Sequence, residues 1–449
     1  MSVYQGIKLK IEITGASHDE RIYGSLEGFP EGEEIDLDAL QDFMSRRSPG
    51  NYAGSTSRRE EDRPVIVSGL SGSKTDGTPL HIYIENSDAR SRDYSDIKNK
   101  PRPGHADLGA YFKYGADFDM SGGGSFSGRM TAPFCALGGM AMQILERRGI
   151  CVTAHIRSIA DIEDARFDGC NISADIRKII LENELPAISA EAAAQMKQRI
   201  ESAASEGDSV GGVIECAVTG LPCGTGGELF DGIEGRLAPW LFAIPAVKGV
   251  EFGSGFDGSC LKASENNDPI VLENGHIVTS SNNAGGILGG ISTGMPLLFS
   301  VAVKPTPSIS RPQRTVDITT MEETEIRISG RHDACIVPRA VPVVEAAAAL
   351  AVLDMLEASG ENELDLLRRG IDEQDRQIVS ALCRRMDISE RIGEYKKQRG
   401  LPVFVPEREE LVIRKAASAA GEGRADNVKE LYRLIMEQSR RLQEKENEQ

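Results

Sequence analysis

The chain has 449 residues, with 51 basic and 69 acidic side chains and a net charge of −18 at pH 7. This excess of negative charge argues against nucleic acid and against an anionic membrane as partners, so an anionic substrate would need a local basic pocket. The length predicts two or three domains. The eight cysteines show no CxxC motif and no metal-ligand spacing, which predicts reduced thiols, no metal site and a cytoplasmic location.

The N-terminal part of the chain predicts short strands and helices. Apolar residues alternate with polar ones over 7–13, which is typical of a half-buried strand leading to His18 in the loop GASHDERIYG. Because strands and helices are mixed without regular βαβ alternation, we expect an α+β fold. Further elements follow in order: a helix at 36–44 capped by Asp36, strands at 64–69 and 80–85, a helix at 189–205 capped by Ser189, and a strand at 212–218.

The stretch 102–132 contains a histidine, basic residues, three consecutive glycines and several hydroxyl groups. The glycines at 122–124 can adopt positive φ angles and let the backbone approach a ligand closely. A helix is predicted from Thr131, and a glycine-rich turn before a helix N-terminus suits an anion such as phosphate. A plain turn remains the alternative, since neither the P-loop nor the dinucleotide-binding motif matches.

A second polar segment follows a short apolar strand and contains Lys304, Thr306 and Ser308. These side chains suit an anionic group, with an exposed loop as the alternative. A polar segment at 358–363 contains Gly360, and we place a domain boundary there. We therefore expect a domain at 1–358, a linker at 359–363 and a second domain at 364–449.

Residues 1–358 resemble the chorismate synthase family through several motifs in the same order. These motifs are GASH at 15–18, RRSPG at 46–50, PGHAD, KYG and GGG within 103–124, GDSVGG at 207–212, AVKGVEFG at 246–253, NAGGILGGISTG at 283–294, KPTPSIS at 304–310 and GRHD at 330–333. The resemblance implies a sandwich of sheets and helices, usually assembled as a homotetramer. It also implies loss of phosphate and a ring proton from 5-enolpyruvylshikimate 3-phosphate, which yields chorismate in the shikimate pathway and requires reduced FMN.

The same resemblance implies roles for individual residues. His105 and His18 would be general acids, one toward the reduced flavin and one toward the departing phosphate, with Ser17 carried over beside His18. Asp333 would assist proton removal. The implied flavin-binding residues are Arg47, Ser125, Phe126, Ser127, Pro245, Ala246, Gly289, Lys304, Pro305, Thr306, Pro307, Ser308 and Arg331. The departures from the family pattern are Ala16, Asp19, Ala53 and Ser125.

From Leu364 the sequence changes to a long helical periodicity. Apolar residues recur along one side up to about Gln398, and about 35 residues of helix span ~52 Å. A globule of this segment's size is only ~30 Å across, so such a helix cannot be buried within its own domain. We therefore expect an intertwined dimer, with Pro406 beginning a second helix and a third helix from about Asp426 to Gln443.

Residues 364–443 resemble the all-helical chorismate mutase family through LRRGIDEQDRQI, GEYKK, GLPVF, ERE and IMEQSRRLQ. Val405 replaces an aspartate of the family site. Cations that hold both carboxylates of chorismate in a folded conformer would promote its rearrangement to prephenate without a cofactor. The implied site residues are Arg368, Arg385, Lys396, Arg408, Glu409, Ser439 and Gln443.

The sequence therefore predicts a bifunctional enzyme, a phosphate lyase followed by an isomerase. One alternative retains the synthase and makes residues 364–449 a regulatory or dimerising module, which Val405 favours. A more remote alternative is a flavin oxidoreductase with net turnover of NADPH. The sequence leaves open whether the chain reduces its own FMN, for which NADPH would be the external reductant. We expect a homo-oligomer, tetrameric through the synthase domain and dimeric through the mutase domain.

Overall fold

A computed structural model of the chain describes residues 1–50, 60–86, 99–115, 121–273, 275–328, 332–359, 363–421 and 423–448. The chain divides into two compact units, Met1–Leu367 and Arg368–Gln449. Unit 1 combines sheets with helices, and unit 2 consists of helices and their connections. The expected α+β class and the helical C-terminal region are both confirmed.

The strands of unit 1 form two larger antiparallel sheets and several short hairpins. The first large sheet has the strand order β1-β2-β3-β7-β4, and the second has the order β11-β16-β10-β8-β9. The strands are β1 Ser2–Gln5, β2 Lys10–Thr14, β3 Arg21–Glu27, β4 Pro64–Ser68, β5 Leu70–Ser71, β6 Lys74–Thr75, β7 Leu80–Glu85, β8 Cys151–Ile159, β9 Ile162–Glu163, β10 Gly212–Thr219, β11 Val247–Phe252, β12 Ile270–Glu273, β13 His276–Thr279, β14 Ile287–Leu288, β15 Ile291–Ser292, β16 Leu297–Val303, β17 Gln313–Asp317 and β18 Glu322–Ile326.

The helices of unit 1 include two long apolar ones that run between the sheets. The helices are α1 Leu37–Ser45, α2 Asp107–Tyr114, α3 Thr131–Arg147, α4 Ala174–Glu182, α5 Ala190–Ser205, α6 Ile233–Phe242, α7 Gly255–Gly258, α8 Ala263–Asn266 and α9 Val337–Ser359. Short 3₁₀ segments at Ser121–Phe126 and Gly128–Met130 lead into α3. The glycine-rich turn therefore enters a buried helix directly, as the sequence predicts.

The core of unit 1 lies around the contact between α3 and α9. Helix α3 also contacts β3 and β7 of the first sheet, and α9 contacts β8 and β10 of the second. A Cβ atom at Gly138 of α3 would lie 2.6 Å from the Cα atom of Ala346 on α9. Glycine at this position therefore permits the close approach of the two helices, and these contacts give the order sheet, helix, helix and sheet within the expected sandwich.

The first predicted strand is shorter than the sequence alternation indicated. β2 begins at Lys10, and residues 6–9 form a turn after β1. The buried carboxylate of Asp354 on α9 accepts hydrogen bonds of 2.7–2.9 Å from the amides of residues 7–9. Because a side chain satisfies these amides, they need no partner strand. The other predicted elements of unit 1 are confirmed, including the side-chain caps of Asp36 and Ser189.

In the part of unit 2 that the structure describes there are three helices, the first of which begins within the last residues of unit 1. The predicted helix from Leu364 and the predicted start at Pro406 are confirmed, and the last helix extends beyond the predicted end at Gln443. Helix α10 comprises 37 residues, so it is ~55 Å long. The helices are α10 Glu363–Arg399, α11 Pro406–Ala419 and α12 Ala425–Glu448.

Three features of the described residues concern membrane spans, metal ligands and cysteine pairing. Within the described residues, no helix is long and apolar enough to cross a membrane. The same part of the chain contains no group of three or more His, Cys, Asp or Glu side chains that could hold a metal ion. All eight cysteines are free thiols.

Candidate active sites

The glycine-rich turn lies directly against the loop that carries His18. Residues 122–124 have φ angles of 61°, 97° and 54°, which L side chains rarely adopt. The amide of Ser17 donates a 3.1 Å hydrogen bond to the carbonyl oxygen of Gly124. A Cβ atom at Gly122 would lie 2.3 Å from Cε1 of His18 and 2.7 Å from Oγ of Ser17. The fold thus brings two predicted site segments, far apart in sequence, into contact.

His105 lies against the segment that carries Lys304 and Ser308. Nε2 of His105 is 2.8 Å from Oγ of Ser308. The Lys304 ammonium donates to the carbonyl oxygen of Gly104, and the Lys304 amide donates a 3.0 Å hydrogen bond to the carbonyl oxygen of Ala246. The predicted anion-binding segment, the PGHAD motif and the start of β11 therefore meet in one place.

The surroundings of His105 favour its neutral form. Burial lowers the pKa of His105 to about 4, and the positive charges of Arg102 and Lys304 act in the same direction. The Asp107 carboxylate opposes this shift, but Arg102 already binds it at 2.6 and 2.8 Å through Nε and Nη2. His105 is therefore a neutral imidazole at neutral pH in the unliganded protein. It could act as a general acid only after an anionic ligand raises its pKa.

Arg47 is buried below the N-terminal end of α3. Its guanidinium is ion-paired with Asp62 and donates to Oγ1 of Thr131 at 3.1 Å and to the carbonyl oxygen of Gly128 at 3.0 Å. Burial lowers the pKa of Arg47. Burial alone would raise the pKa of Asp62, but the charges of Arg47 and Arg129 outweigh it and lower that pKa. Arg47 thus stabilises the segment that follows the glycine-rich turn.

Arg339, which was not predicted from the sequence, joins Asp333 to the buried network around Arg47. Nη1 of Arg339 is 2.7 Å from Oδ2 of Asp333, and its Nε donates a 2.8 Å hydrogen bond to the carbonyl oxygen of Arg47. Arg339 therefore connects the GRHD motif to the RRSPG motif. The sequence held one signal for this role, because Arg339 is a charged residue at the start of the apolar run that forms α9.

The residues predicted to bind flavin differ in their surroundings. Ser125 and Phe126 are exposed, whereas Oγ of Ser127 accepts a 3.3 Å hydrogen bond from the Arg129 amide. Ala246 has a φ angle of 74°, a strained value for a residue with a Cβ atom. Pro305 is exposed, and the remaining prolines, Pro245 and Pro307, are partly exposed. Arg331 lies outside the described residues.

Two observations, in two different loops, fit the binding of a phosphate-bearing cofactor. Oγ1 of Thr306 is buried and has no hydrogen-bond partner among the described residues, although a buried hydroxyl normally has one. Gly289 has a φ angle of 66°, and nothing lies within 4 Å of the position of its absent Cβ atom. The Thr306 hydroxyl and the nearby Lys304 ammonium offer donors to a phosphate group of a ligand such as FMN, and the turn at Gly289, in another loop, leaves open space at its surface.

In unit 2, four of the predicted mutase residues meet between α10 and α12. Arg385 donates to Oγ of Ser439, and the Lys396 ammonium lies 3.1 Å from Oε1 of Gln443. Lys396 also donates a 2.7 Å hydrogen bond to the carbonyl oxygen of Val403. Ser439 and Gln443 are both buried, and burial lowers the pKa of Arg385. Both cations therefore face hydrogen-bonding side chains of α12, and the space between them is the candidate mutase pocket.

The other predicted mutase residues lie in the first turn of α11 and near the start of α10. Arg408 is exposed in the first turn of α11, and Glu409 is ion-paired with Arg440 of α12. Arg368 is exposed on α10. Since 17 residues separate Arg368 from Arg385, their Cα atoms are ~25 Å apart along the helix. No side chain spans that distance, so Arg368 cannot reach the pocket of its own chain.

Comparison with known proteins decides the family. The family model described as chorismate synthase matches residues 9–356. The chain belongs to the chorismate synthase family. A chorismate synthase from Lancefieldella parvula is 42% identical over 362 residues, which cover 78% of this chain and 95% of that protein. A chorismate synthase from Thermococcus gammatolerans is 45% identical over 352 residues, covering 78% of this chain and 97% of that protein.

The fold and the C-terminal region give two further matches. A crystal structure of a chorismate synthase is similar to this chain, with a TM-score of 0.64 and 25% sequence identity. The matched region covers 84% of this chain and 99% of the chain in the crystal structure. The family model described as chorismate mutase type II matches residues 367–444. The chain therefore combines a chorismate synthase, a lyase, with a chorismate mutase, an isomerase. This result favours the bifunctional interpretation over a merely regulatory or dimerising C-terminal module.

Proposed function

We propose that the synthase reaction uses two groups of residues together, the His18 loop with the glycine-rich turn and the His105 cluster with Lys304 and Ser308. The observation that carries this proposal is the pair of contacts made by the two histidines. His18 lies against Gly122, and His105 lies against Ser308 beside Lys304. Both imidazoles are thus beside groups that suit an anionic ligand, as elimination of phosphate from 5-enolpyruvylshikimate 3-phosphate requires.

The residues of the chain would then have the following roles. Lys304 and the unsatisfied hydroxyl of Thr306 would bind phosphate groups of the substrate or of FMN. His18 and His105 would each hold a proton for the flavin or for the departing phosphate, and Asp333, oriented by Arg339, would assist removal of the ring proton. Reduced FMN, when bound, supplies electron density to the breaking C–O bond and recovers it.

In the mutase pocket, Arg385 and Lys396 would bind the chorismate carboxylates and the developing charge on the ether oxygen. Gln443 would donate a hydrogen bond to that oxygen through its side-chain amide, and Ser439 would orient Arg385. This arrangement holds a folded conformer and needs no acid or base. A second copy of the chain would supply Arg368, because the pocket's own Arg368 is ~25 Å away.

Exposed apolar side chains support the same dimer. Ile371, Ile378, Val379 and Ile388 on α10 are between 54% and 60% exposed. Such a row is costly in water and is typical of a helix that packs against another chain. We propose that the mutase domains of two chains form an intertwined dimer and that the synthase domains assemble the chains into a tetramer. We also propose a domain boundary at 358–363 and a cytoplasmic location for the enzyme.

The experiment that tests both functions supplies 5-enolpyruvylshikimate 3-phosphate and reduced FMN under anaerobic conditions. Prephenate should accumulate with the wild-type chain, and chorismate with Lys396→Ala.

His18→Ala and His105→Ala should each lower synthase turnover by ~10²-fold or more, the usual loss for a general acid. Near-wild-type turnover in either histidine variant would remove that histidine from the mechanism. Full activity without flavin would overturn the cofactor proposal, and NADPH in place of reduced FMN tests whether the chain reduces its own flavin.

A further inference from the structure

Arg440 of α12 contacts the mutase pocket, but it is not among the residues that the family resemblance implies. It follows Ser439 directly. Its Nε atom is 3.3 Å from Oε1 of Glu409, and its guanidinium lies 4.7 Å from the ring centroid of Phe404. Arg440 therefore connects α12 to the first turn of α11 and to the segment between α10 and α11.

The contact with Glu409 is an electrostatic pair and not a directed hydrogen bond. The Nε atom of Arg440 is buried and has no hydrogen-bond partner among the described residues, although the carboxylate lies close to it. The two side chains are 35% and 21% exposed, so solvent screens the attraction only in part. The flat face of a guanidinium can stack on an aromatic ring while its edge faces a carboxylate, which a lysine cannot reproduce.

Through its contact with Phe404, Arg440 also holds the segment that binds Lys396. The preceding residue, Val403, provides the carbonyl oxygen that accepts the hydrogen bond from Lys396. The following residue, Val405, is the N-cap of α11 and makes no side-chain capping bond. At position 405 only the backbone carbonyl oxygen binds the first turn of α11, through the amides of Arg408 and Glu409, and the side chain adds no capping bond.

We propose that Arg440 is a positioning residue of the mutase site. It holds Glu409 from one side and stacks on Phe404, which keeps the Val403 carbonyl oxygen where Lys396 binds it. In this way it holds the segment on both sides of Val405, whose own side chain makes no capping bond. The inference rests on the proposed mutase pocket and adds to it one cation that acts through neighbouring groups.

Arg441 provides a matched control on the same helix. It is ion-paired with Glu437 one turn earlier, and these two side chains are 62% and 43% exposed. Arg441→Gln therefore removes the same charge from the next position without touching Glu409 or Phe404. Any effect that depends only on net charge or on helix propensity should be equal in the two variants.

The test uses the full chain with chorismate supplied directly, so that no flavin is needed. We expect Arg440→Gln to lower kcat for prephenate formation about tenfold or more, which is about 1.4 kcal/mol of transition-state stabilisation. KM should change less, because the substrate carboxylates bind to other cations. Arg440→Lys should recover part of the loss. Phe404→Leu keeps the apolar bulk but removes the aromatic face, so it should lower kcat several-fold. If Arg440→Gln does not fold, Phe404→Leu provides the test instead.

A double-mutant cycle with Glu409→Gln distinguishes positioning from general destabilisation. If Arg440 acts in part through Glu409, the double variant should lose less activity than the sum of the two single losses, because the Arg440–Glu409 interaction can be removed only once. Additive losses, or a variant Arg440→Gln as active as Arg441→Gln, would overturn the inference and leave the mutase assignment intact. A wild-type chain that forms no prephenate from chorismate would overturn the mutase pocket itself and the inference with it.

Discussion

The low pKa of His105 has a consequence for ligand binding. The imidazole is neutral in the unliganded protein because burial and nearby cations lower its pKa to about 4. An anionic substrate bound beside Lys304 adds negative charge and should raise that pKa toward neutrality, so binding should take up about one proton per site near pH 6. Calorimetric titrations in buffers of different ionisation enthalpy measure this uptake. His105→Gln should abolish it, and equal heats in all buffers for the wild type would contradict the expectation.

A second histidine has the opposite electrostatics and no part in either site. His155 on β8 is fully buried, with Nδ1 3.1 Å from Asp164 and Nε2 2.9 Å from Glu215 of β10. Burial opposes its protonation, but the two carboxylates outweigh burial and raise its pKa above 6.5. Burial likewise opposes ionisation of Asp164, while the His155 hydrogen bond and two backbone amides lower its pKa below 3.8. The imidazolium therefore holds the connection after β9 against the second sheet.

This pair predicts a stability that depends on pH. The contribution of His155 is complete below pH 6.5 and is lost as the pH rises through its raised folded-state pKa; that of Asp164 is lost below pH 3.8. His155→Gln should therefore destabilise unit 1 by about 3–5 kcal/mol at pH 6 and by less at pH 9. The single tryptophan, Trp240, is buried in unit 1, so its fluorescence during urea unfolding reports on this unit. His81→Gln, an exposed histidine, is the control, and an equal loss at both pH values would exclude a charged His155.

At the scale of elements, the glycine-rich turn owes its function to close packing. A Cβ atom at Gly122 would overlap the His18 ring, whereas Gly72 has a similar φ angle of 66° and nothing within 4 Å of its Cβ position. Both alanine variants incur the strain of a positive φ angle, but only Gly122→Ala displaces His18. We expect Gly122→Ala to lower synthase turnover about tenfold or more and Gly72→Ala to leave it nearly unchanged. Mutase activity of the same preparations should stay constant, and equal effects of the two variants would contradict the close contact.

Helix capping follows from local sequence, while contact between helices does not. Asp36 and Ser189 cap their helices as predicted, because a side-chain oxygen binds amides within the next few residues. The shortened first strand has a different cause, since its amides bind Asp354, more than 340 residues away in the sequence. Periodicity could identify α9 as a buried helix, but it could not show that two of its acidic side chains bind backbone amides far away in the sequence, one in a turn and one in a strand.

At the scale of the whole molecule, the shared mutase pocket predicts complementation between inactive chains. Arg368→Ala and Lys396→Ala should each lose ~2.7–4 kcal/mol of transition-state stabilisation if each removes one cation aimed at developing charge. Co-expression of the two variants in equal amounts should restore roughly a quarter of wild-type mutase sites, because half of the dimers are mixed and half of their pockets are whole.

A second pair of variants serves as the control for this experiment. Arg385 and Lys396 both line the pocket of their own chain. Co-expressed Arg385→Ala and Lys396→Ala should therefore restore nothing, since every pocket lacks one of the two cations. Restoration by this pair, or none by the first pair despite demonstrated subunit exchange, would show that Arg368 is not supplied by the partner.

The sequence by itself determined the family, the two reactions and most of the helices and strands. Ordered motifs identify a family because each preserves local chemistry, and helical or alternating periodicity reflects which face of an element is buried. The predicted residues His18, His105, Lys304 and Ser308 lie in motifs of this kind. Their individual roles stay predictions, together with the flavin and the oligomeric state.

Only the tertiary structure decided which of these residues meet and how they are charged. The contact of Gly122 with His18, the low pKa of His105, and the links made by Arg339 and Arg440 join segments that lie far apart along the chain. No periodicity reports such contacts, because they depend on how layers pack and on the water that packing excludes. The sequence therefore supplies the chemical groups, and the fold determines their distances and protonation.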